Sequence, residues 1–322
     1  MKALVLKSKG VWPSLEDIEL EHSSDFCYPE LLNSSLNRRD YWIVQGLYPG
    51  IRYPMVLGSD GVGMLESRRV LFNPSFSWGD QEAYQAKDYH ILGLPTRGTF
   101  AEVLQIPISN VFDVPDHLTN EEAAALPLAG LTAYRALFIK ASPNPGEKVF
   151  ITGIGGGVAL FVMQFALAKG LKVYVSSGSD AKIQKAIEAG ASGGVNYNSS
   201  AWKNSLSEME PEGFDVVVDG TGGSGLASLI SVCKPGARVV IYGGTAGKIP
   251  EINPQHLFWK QIQIIGTTMG SESDFKQMLA FVKKHQIRPV IDSVYPLSEA
   301  AKAFERMASS VQFGKMVFDN RN

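Results

Sequence analysis

The sequence predicts an α/β protein of two domains, one built on a doubly wound parallel sheet and the other mainly β. Three observations carry this. From Glu147 onward, strand-like and helix-like segments alternate. A glycine-rich turn joins the first of those strands to the first of those helices. Ahead of that region the chain shows short β signals between Gly, Pro and Asn punctuation.

The 322 residues, 45% hydrophobic and 19% charged, suffice for two globular domains with buried cores. A formal net charge of -2 gives no bulk attraction to nucleic acid or another polyanion, so no nucleic-acid partner is expected. Cys27 and Cys233 make neither a disulfide framework nor a CxxC pair, which suits a reducing cytoplasm. The opening Met1-Lys2-Ala3-Leu4-Val5-Leu6-Lys7 reads as a strand and not as a cleavable signal. The longest apolar run, Val158 to Ala168, is broken by Gln164 and falls short of the ~18 residues of a membrane span. A cytoplasmic protein with no membrane partner is the expectation.

In the first part, Val5 to Lys7, Val70 to Phe72 and Phe100 to Ile106 read as strands. Near Asn120 the pattern changes: Thr119 reads as a helix N-cap, and Glu122 completes a capping box. Strands are then expected at Val149–Ile151, Lys172–Ser176, Phe214–Val218 and Arg238–Tyr242. Helices are expected at Val158–Ala168, Asp180–Ala189, Gly225–Cys233 and Ser273–His285. Leu257 to Gly266 carries alternating apolar residues, the mark of a further strand.

The turn reads Phe150-Ile151-Thr152-Gly153-Ile154-Gly155-Gly156-Gly157-Val158-Ala159. Glycines there permit a tight turn and close backbone approach to a pyrophosphate. The helix N-terminus then offers unpaired N–H groups and the positive end of its dipole. A second strand ends Val173-Tyr174-Val175-Ser176-Ser177-Gly178-Ser179 about 20 residues further on, the spacing of a dinucleotide site. An NAD site usually has an acid at that strand end for the ribose 2′-hydroxyl. Here the position is Ser177, and Asp180 falls in the first turn of the next helix, where helix-start stabilisation is its simpler role. Hydroxyls with Lys182 suit a 2′-phosphate, although Lys182 also reads as a solvated helix position. NADPH/NADP is the expected cofactor.

On these motifs the chain resembles the medium-chain dehydrogenase/reductase superfamily, in its zinc-independent quinone oxidoreductase-like branch. Gly153 to Ala159 is similar to that family's glycine turn, with Ala159 where the last glycine is usual. Leu128-Ala129-Gly130-Leu131-Thr132-Ala133-Tyr134 resembles the helix before its cofactor domain. Val216 to Gly223 and Tyr242-Gly243-Gly244 resemble the strand ends beside its nicotinamide. Asn37-Arg38-Arg39-Asp40-Tyr41-Trp42, followed by Gly46-Leu47-Tyr48-Pro49-Gly50, resembles its active-site segment.

The resemblance implies a GroES-like, mainly β catalytic domain over 1–125 and 268–322, and a Rossmann NADP(H)-binding domain over 126–267. It implies cofactor contacts from Thr132, Gly153, Gly155, Gly156, Gly157, Val158, Ser176, Ser177, Ser179, Lys182, Tyr197, Asp219, Tyr242, Gly243, Gly244 and Met269. It implies catalytic positions at Asn37, Asp40, Trp42 and Asp60. Asp40 reads equally as a helix cap and Trp42 as core, so Asn37, whose amide can donate to a developing oxyanion, is the stronger candidate.

Zinc alcohol dehydrogenases of the superfamily place Cys at the Asn37 position and His-Glu after a glycine. Here Ser59-Asp60 follow Gly58, and the five histidines are scattered without ligand spacing. No metal is therefore expected. The implied activity is hydride transfer from NADPH to a small carbonyl, enone or quinone. Two alternatives stay open: a zinc-free alcohol dehydrogenase working oxidatively, and a non-catalytic NADPH-binding structural or redox-sensing protein. A homodimer through the Leu257–Gly266 edge is the expected assembly.

Overall fold

The computed structural model describes residues 1–321 and divides into two compact units, Thr132–Met269 and the remainder of the chain on either side of it. The division falls six and two residues beyond the expected limits at 125 and 267. The helix Asn120–Ala125 packs on the strands Glu30–Ser35 and Asp60–Leu65, and the Leu128 N–H donates to Asp60 Oδ1 at 2.7 Å. These contacts hold the connecting helices in the first unit. The Thr119/Glu122 capping box forms as its spacing predicts, with Thr119 N–H to Glu122 Oε2 at 2.9 Å and Glu122 N–H to Thr119 Oγ1 at 3.3 Å.

The inner unit is a six-stranded, wholly parallel sheet. Its spatial order is Gly193–Asn196, Lys172–Ser177, Lys148–Ile151, Phe214–Asp219, Cys233–Ile241, Gln263–Gly266. In chain order this is strands 3-2-1-4-5-6, the doubly wound arrangement, which puts a ligand crevice at the carboxyl ends where the order reverses. The central strands are apolar on both faces because helices cover both: Val149, Phe150, Ile151, Val216, Val217 and Val218 are all fully buried. The helix Gly157–Ala168 is apolar nearly all round and correspondingly buried. On this sheet Phe150 packs tilted against Phe214 and Tyr174 edge-on to it, with ring centroids 5.2 and 5.3 Å apart.

At the opposite ends of the strands, buried Glu210 accepts from Lys148 at 2.5 Å and also from Lys172 and Tyr174. Burial pushes its carboxyl up, but these three donors outweigh it and hold the group down at about 2. The cluster ties the amino ends of two strands to the loop after Trp202–Met209.

The outer unit is mainly β. Its largest sheet runs Ile291–Pro296, Lys315–Asp319, Glu30–Ser35, Asp60–Leu65, Arg68–Phe72, Val111–Asp113. The chain's last strand pairs antiparallel with Glu30–Ser35, so the C-terminal stretch returns to the first unit. A three-stranded sheet of Ser14–Asp17, Lys2–Leu6 and Met55–Val56 lies in the same unit. Leu4, Leu6, Phe100, Phe304 and Phe318 share one core, with Phe100 edge-on to Phe318 at 5.0 Å.

Three expectations need correction. Phe100–Ile106 is extended but forms no regular strand: it splits its bonds between Lys2–Leu4 and Cys27–Leu31, meeting each in isolated bridges. The strand ending at Ile241 starts as early as Cys233, because Gly236 at φ +76° absorbs a bulge between the Phe214–Cys233 and Val216–Arg238 pairs. The first half of Leu257–Gly266 is helical: Pro254–Lys260 starts behind the Asn253 cap, and only Gln263–Gly266 is strand. No helix among the described residues is long and apolar enough to cross a membrane.

Candidate active site and cofactor cradle

In the inner unit, Gly153 and Gly155 stand at φ +67° and +114°, which only glycine adopts without strain, and so fold the chain back before the helix. Gly156 is the N-cap and Gly157 the first helical residue, and no side chain caps the end. The first-turn N–H groups of a twelve-residue helix, Val158 among them, are left for a ligand. The turn is braced from below: Ile154 N–H donates to Ser176 O at 2.8 Å and Thr152 N–H to Val218 O at 3.1 Å.

Asp219 organises the neighbouring strand end. Its fully buried carboxylate accepts from Thr152 Oγ1 (2.6 Å), Thr221 Oγ1 (2.7 Å), Thr221 N–H (3.1 Å) and Gly222 N–H (2.9 Å). Thr152 and its own loop occupy both oxygens, so the carboxylate holds that loop against the neighbouring strand end. The Tyr242 ring lies on the Gly220 backbone, where an added Cβ would collide with its hydroxyl. Burial, then the Asp219 carboxylate, push its phenol up, so it stays protonated and can donate. Gly243 is pressed against Gly220 O, whereas a Cβ at Gly244 would meet only Gly247 O, in ordinary contact at 3.9 Å. Thr132 Oγ1 and Met269 Sδ lie 3.7 Å apart.

At the end of Lys172–Ser177, Ser177 Oγ accepts from Ser179 N–H at 3.2 Å. Tyr197 N–H donates to Ser177 O at 3.1 Å, and its hydroxyl hangs over Gly178. Asp180 is turned to Asn196, whose Nδ2 donates to it at 2.9 Å. Ser176, Ser177, Ser179 and Tyr197 are thus gathered at one strand end, with Lys182 on the helix Asp180–Glu188 that follows. The donor set fits a dinucleotide.

In the outer unit, a buried polar network surrounds Asn37. Asp60 Oδ2 accepts from Asn37 Nδ2 (2.8 Å), Lys315 Nζ (3.0 Å) and Ser35 Oγ (3.1 Å). Lys315 also donates to Asn37 Oδ1 (2.6 Å) and Leu36 O (3.0 Å). Lys315 is 4% exposed and Asp60 fully buried. Lys315 escaped the sequence reading, since its partners lie hundreds of residues away. The one available signal was a cation opening the otherwise apolar run Lys315-Met316-Val317-Phe318.

Asp40 is fully buried at the start of the helix Arg38–Val44, where Oδ2 accepts the Asn37 N–H at 2.9 Å and Oδ1 has no partner. Its capping role is therefore present. Burial pushes its carboxyl up to about 6, against the opposing pull of Arg39, the Asn37 N–H and Lys315. Trp42 stands apart from the network, half-buried and edge-on to Tyr41 at 5.2 Å.

The Asp40 environment has a consequence for stability. The folded carboxyl titrates near 6, about two units above an unfolded Asp. Between those values only the folded state holds the proton, so this group's contribution to stability rises as pH falls from about 7 to 4. Asp40→Asn should raise the unfolding free energy at about pH 8 by an amount on the order of 2 kcal/mol, and so the denaturation midpoint, with little change near pH 4. Equal midpoint shifts at both pH values would contradict the assignment.

The residues do not fit a zinc ion. Asp60 is bound to an ammonium, Asn37 offers an amide, and Ser59 a hydroxyl already donating to Leu92 O. Among the described residues, no three His, Cys, Asp or Glu side chains come together in a metal-binding group.

Residues 157–284 match the family model described as zinc-binding dehydrogenase. The chain is 35% identical to the zinc-type alcohol dehydrogenase-like protein YogA of Leptosphaeria maculans, covering 90% of this chain and 89% of that protein. Its fold superposes on a crystal structure of an NAD-dependent alcohol dehydrogenase with a TM-score of 0.93 at 30% identity, over 99% of both chains. It also superposes on the quinone oxidoreductase of Thermus thermophilus, a protein solved also in complex with NADPH, with a TM-score of 0.83 at 26% identity, over 99% of this chain and 100% of that one. With the doubly wound nucleotide-binding unit, its glycine turn and the β unit built from both ends of the chain, these similarities establish that this protein belongs to the medium-chain dehydrogenase/reductase superfamily and is an oxidoreductase of its quinone oxidoreductase and alcohol dehydrogenase-like type.

Proposed function

We propose that the protein is an NADPH-dependent reductase of a small conjugated carbonyl, an enone or quinone above all, that works without a metal ion. The observation that carries the reading is the fixed orientation of the Asn37 amide. Lys315 at Oδ1 and Asp60 at Nδ2 admit only one amide orientation, since the reverse would set N–H groups against an ammonium. One Nδ2 proton goes to Asp60, and the second is the donor this reading assigns to the substrate oxygen. Bound nicotinamide supplies the hydride. The chain binds and orients: the Gly153–Gly157 turn takes the pyrophosphate, and Tyr242 and Gly244 border the place of the ring. Asn37 meets the charge that grows on oxygen. Aldehydes and simple alcohols are poorer substrates in this reading, because no Lewis acid activates them.

The preference for NADPH rests on Ser177, Ser179, Lys182 and Tyr197 around one strand end, and on Asp180 being held by Asn196. A charge-assisted contact from Lys182 to the 2′-phosphate is worth about 1.5–3 kcal/mol. Lys182→Ala is therefore expected to raise the KM for NADPH at least about tenfold and leave that for NADH nearly unchanged. Equal KM values for the two cofactors in the parent protein would refute the preference.

The same reading takes the protein as a cytoplasmic homodimer. Gln263–Gly266 is an edge strand with one side unpaired in its sheet, and Phe258 and Trp259 beside it are 60% and 78% exposed. Two-fold pairing covers both. Light scattering at micromolar concentration should return twice the mass of one chain, and a monomer mass would exclude the dimer.

A further inference from the structure

Two opposite charges hold the Asn37 amide. Oδ1 takes the Lys315 ammonium at 2.6 Å, and Nδ2 gives one proton to Asp60 Oδ2 at 2.8 Å. The two charges also meet each other at 3.0 Å. This ring of three contacts does more than fix the orientation of the amide. It sets a full positive and a full negative charge in direct contact with the group assigned to the substrate oxygen.

The ammonium does not reach the substrate itself. Its three N–H groups go to Asn37 Oδ1, Leu36 O and Asp60 Oδ2, which exhausts its donors. The backbone holds it in place: Lys315 N–H donates to Val290 O at 2.8 Å, and Leu36 N–H to Met316 O at 3.0 Å. Gly314 before it stands at φ +124°, where a Cβ would meet Val290 O at 2.5 Å. Lys315 is 4% exposed and Asp60 fully buried, so water screens their charges little.

The two charges act on Asn37 in opposite senses. A carboxylate beside the amide opposes negative charge growing at the second Nδ2 proton, as like charges do. The ammonium offsets that opposition, and by drawing on Oδ1 it polarises the amide toward a stronger N–H donor. Ser35 Oγ and Leu128 N–H also donate to Asp60, at 3.1 and 2.7 Å, but they are neutral and supply no balancing charge.

We infer that Lys315 is a positioning residue for the reaction: its charge, acting through Asn37 and against Asp60, lets an oxyanion form at the Asn37 amide. This rests on the reductase reading for the reaction but not for the binding of an anion.

Calorimetry of the NADP-saturated protein reads this as a ratio, the affinity for para-nitrophenolate over that for neutral para-nitroaniline, at a pH where the phenol is ionised. Lys315→Met should lower the ratio at least about tenfold, and Asp60→Asn should raise it by a similar factor. The double variant should fall back toward the parent. A merely structural role does not give opposite signs from the two halves of one pair. Where Lys315→Met fails to fold, the step from Asp60→Asn to the double variant removes the ammonium alone and should lower the ratio by the same factor. In turnover of a conjugated ketone, that step should cost at least about tenfold in kcat with the KM for NADPH unchanged. One ratio shared by the parent and its variants, or no binding of the anion to the parent, overturns the inference. Charge-dependent anion binding with no carbonyl reduced would keep the role of Lys315 and remove the reductase reading. Carbonyl reduction with equal kcat in Asp60→Asn and the double variant would do the reverse.

Discussion

Lys315→Met is expected to destabilise the protein by about 3–5 kcal/mol, because it leaves the Asp60 carboxylate buried without a counter-charge. Asp60 is fully buried and keeps only the Leu128 N–H, the Asn37 amide and the Ser35 hydroxyl in the variant. The same substitution combined with Asp60→Asn should recover most of the loss, since a buried pair is often replaced at little net cost when both charges go. Denaturant unfolding of the two variants reads this directly. A single variant within about 1 kcal/mol of the parent would show that the pair does not hold the unit together.

Asn37→Ala is expected to lower kcat on a conjugated ketone or quinone by about 10²–10³, the usual effect of removing one oxyanion donor, while leaving NADPH affinity nearly unchanged. The glycine turn and the Ser177 strand end belong to the other unit, and their hydrogen bonds do not involve Asn37. Asp60 and Lys315 each lose one hydrogen bond but keep one another, so the fold should survive. Full retention of kcat would remove Asn37 from the chemistry.

What the sequence made legible was what local pattern determines. Apolar runs at Val149–Ile151 and Val216–Val218 are strands because both faces of a parallel sheet are covered. Gly153 and Gly155 mark a turn because their left-handed backbone excludes other residues. Thr119 and Glu122 cap a helix through a three-residue spacing. Most of what was missed lies where the deciding partner is distant, and one error overlooked a local helix start. Phe100–Ile106 has strand composition, but its bonds are divided between two segments. Leu257–Lys260 lies at the head of a stretch read as strand through to Gly266, yet the Asn253 cap and Pro254 start a helix there. Asn37 and Asp60 came from resemblance to a family, while their junction through Lys315 spans 278 and 255 residues.

The most direct test of the proposed chemistry is the oxidation of NADPH, followed by the absorbance of the reduced nicotinamide, with a panel of enones, quinones and aldehydes in the presence of a strong chelator. Turnover of at least one conjugated ketone or quinone is expected, faster with NADPH than with NADH at limiting cofactor, and undiminished by the chelator. Failure of every carbonyl to stimulate oxidation, or loss of activity with removal of a stoichiometric metal, would contradict it.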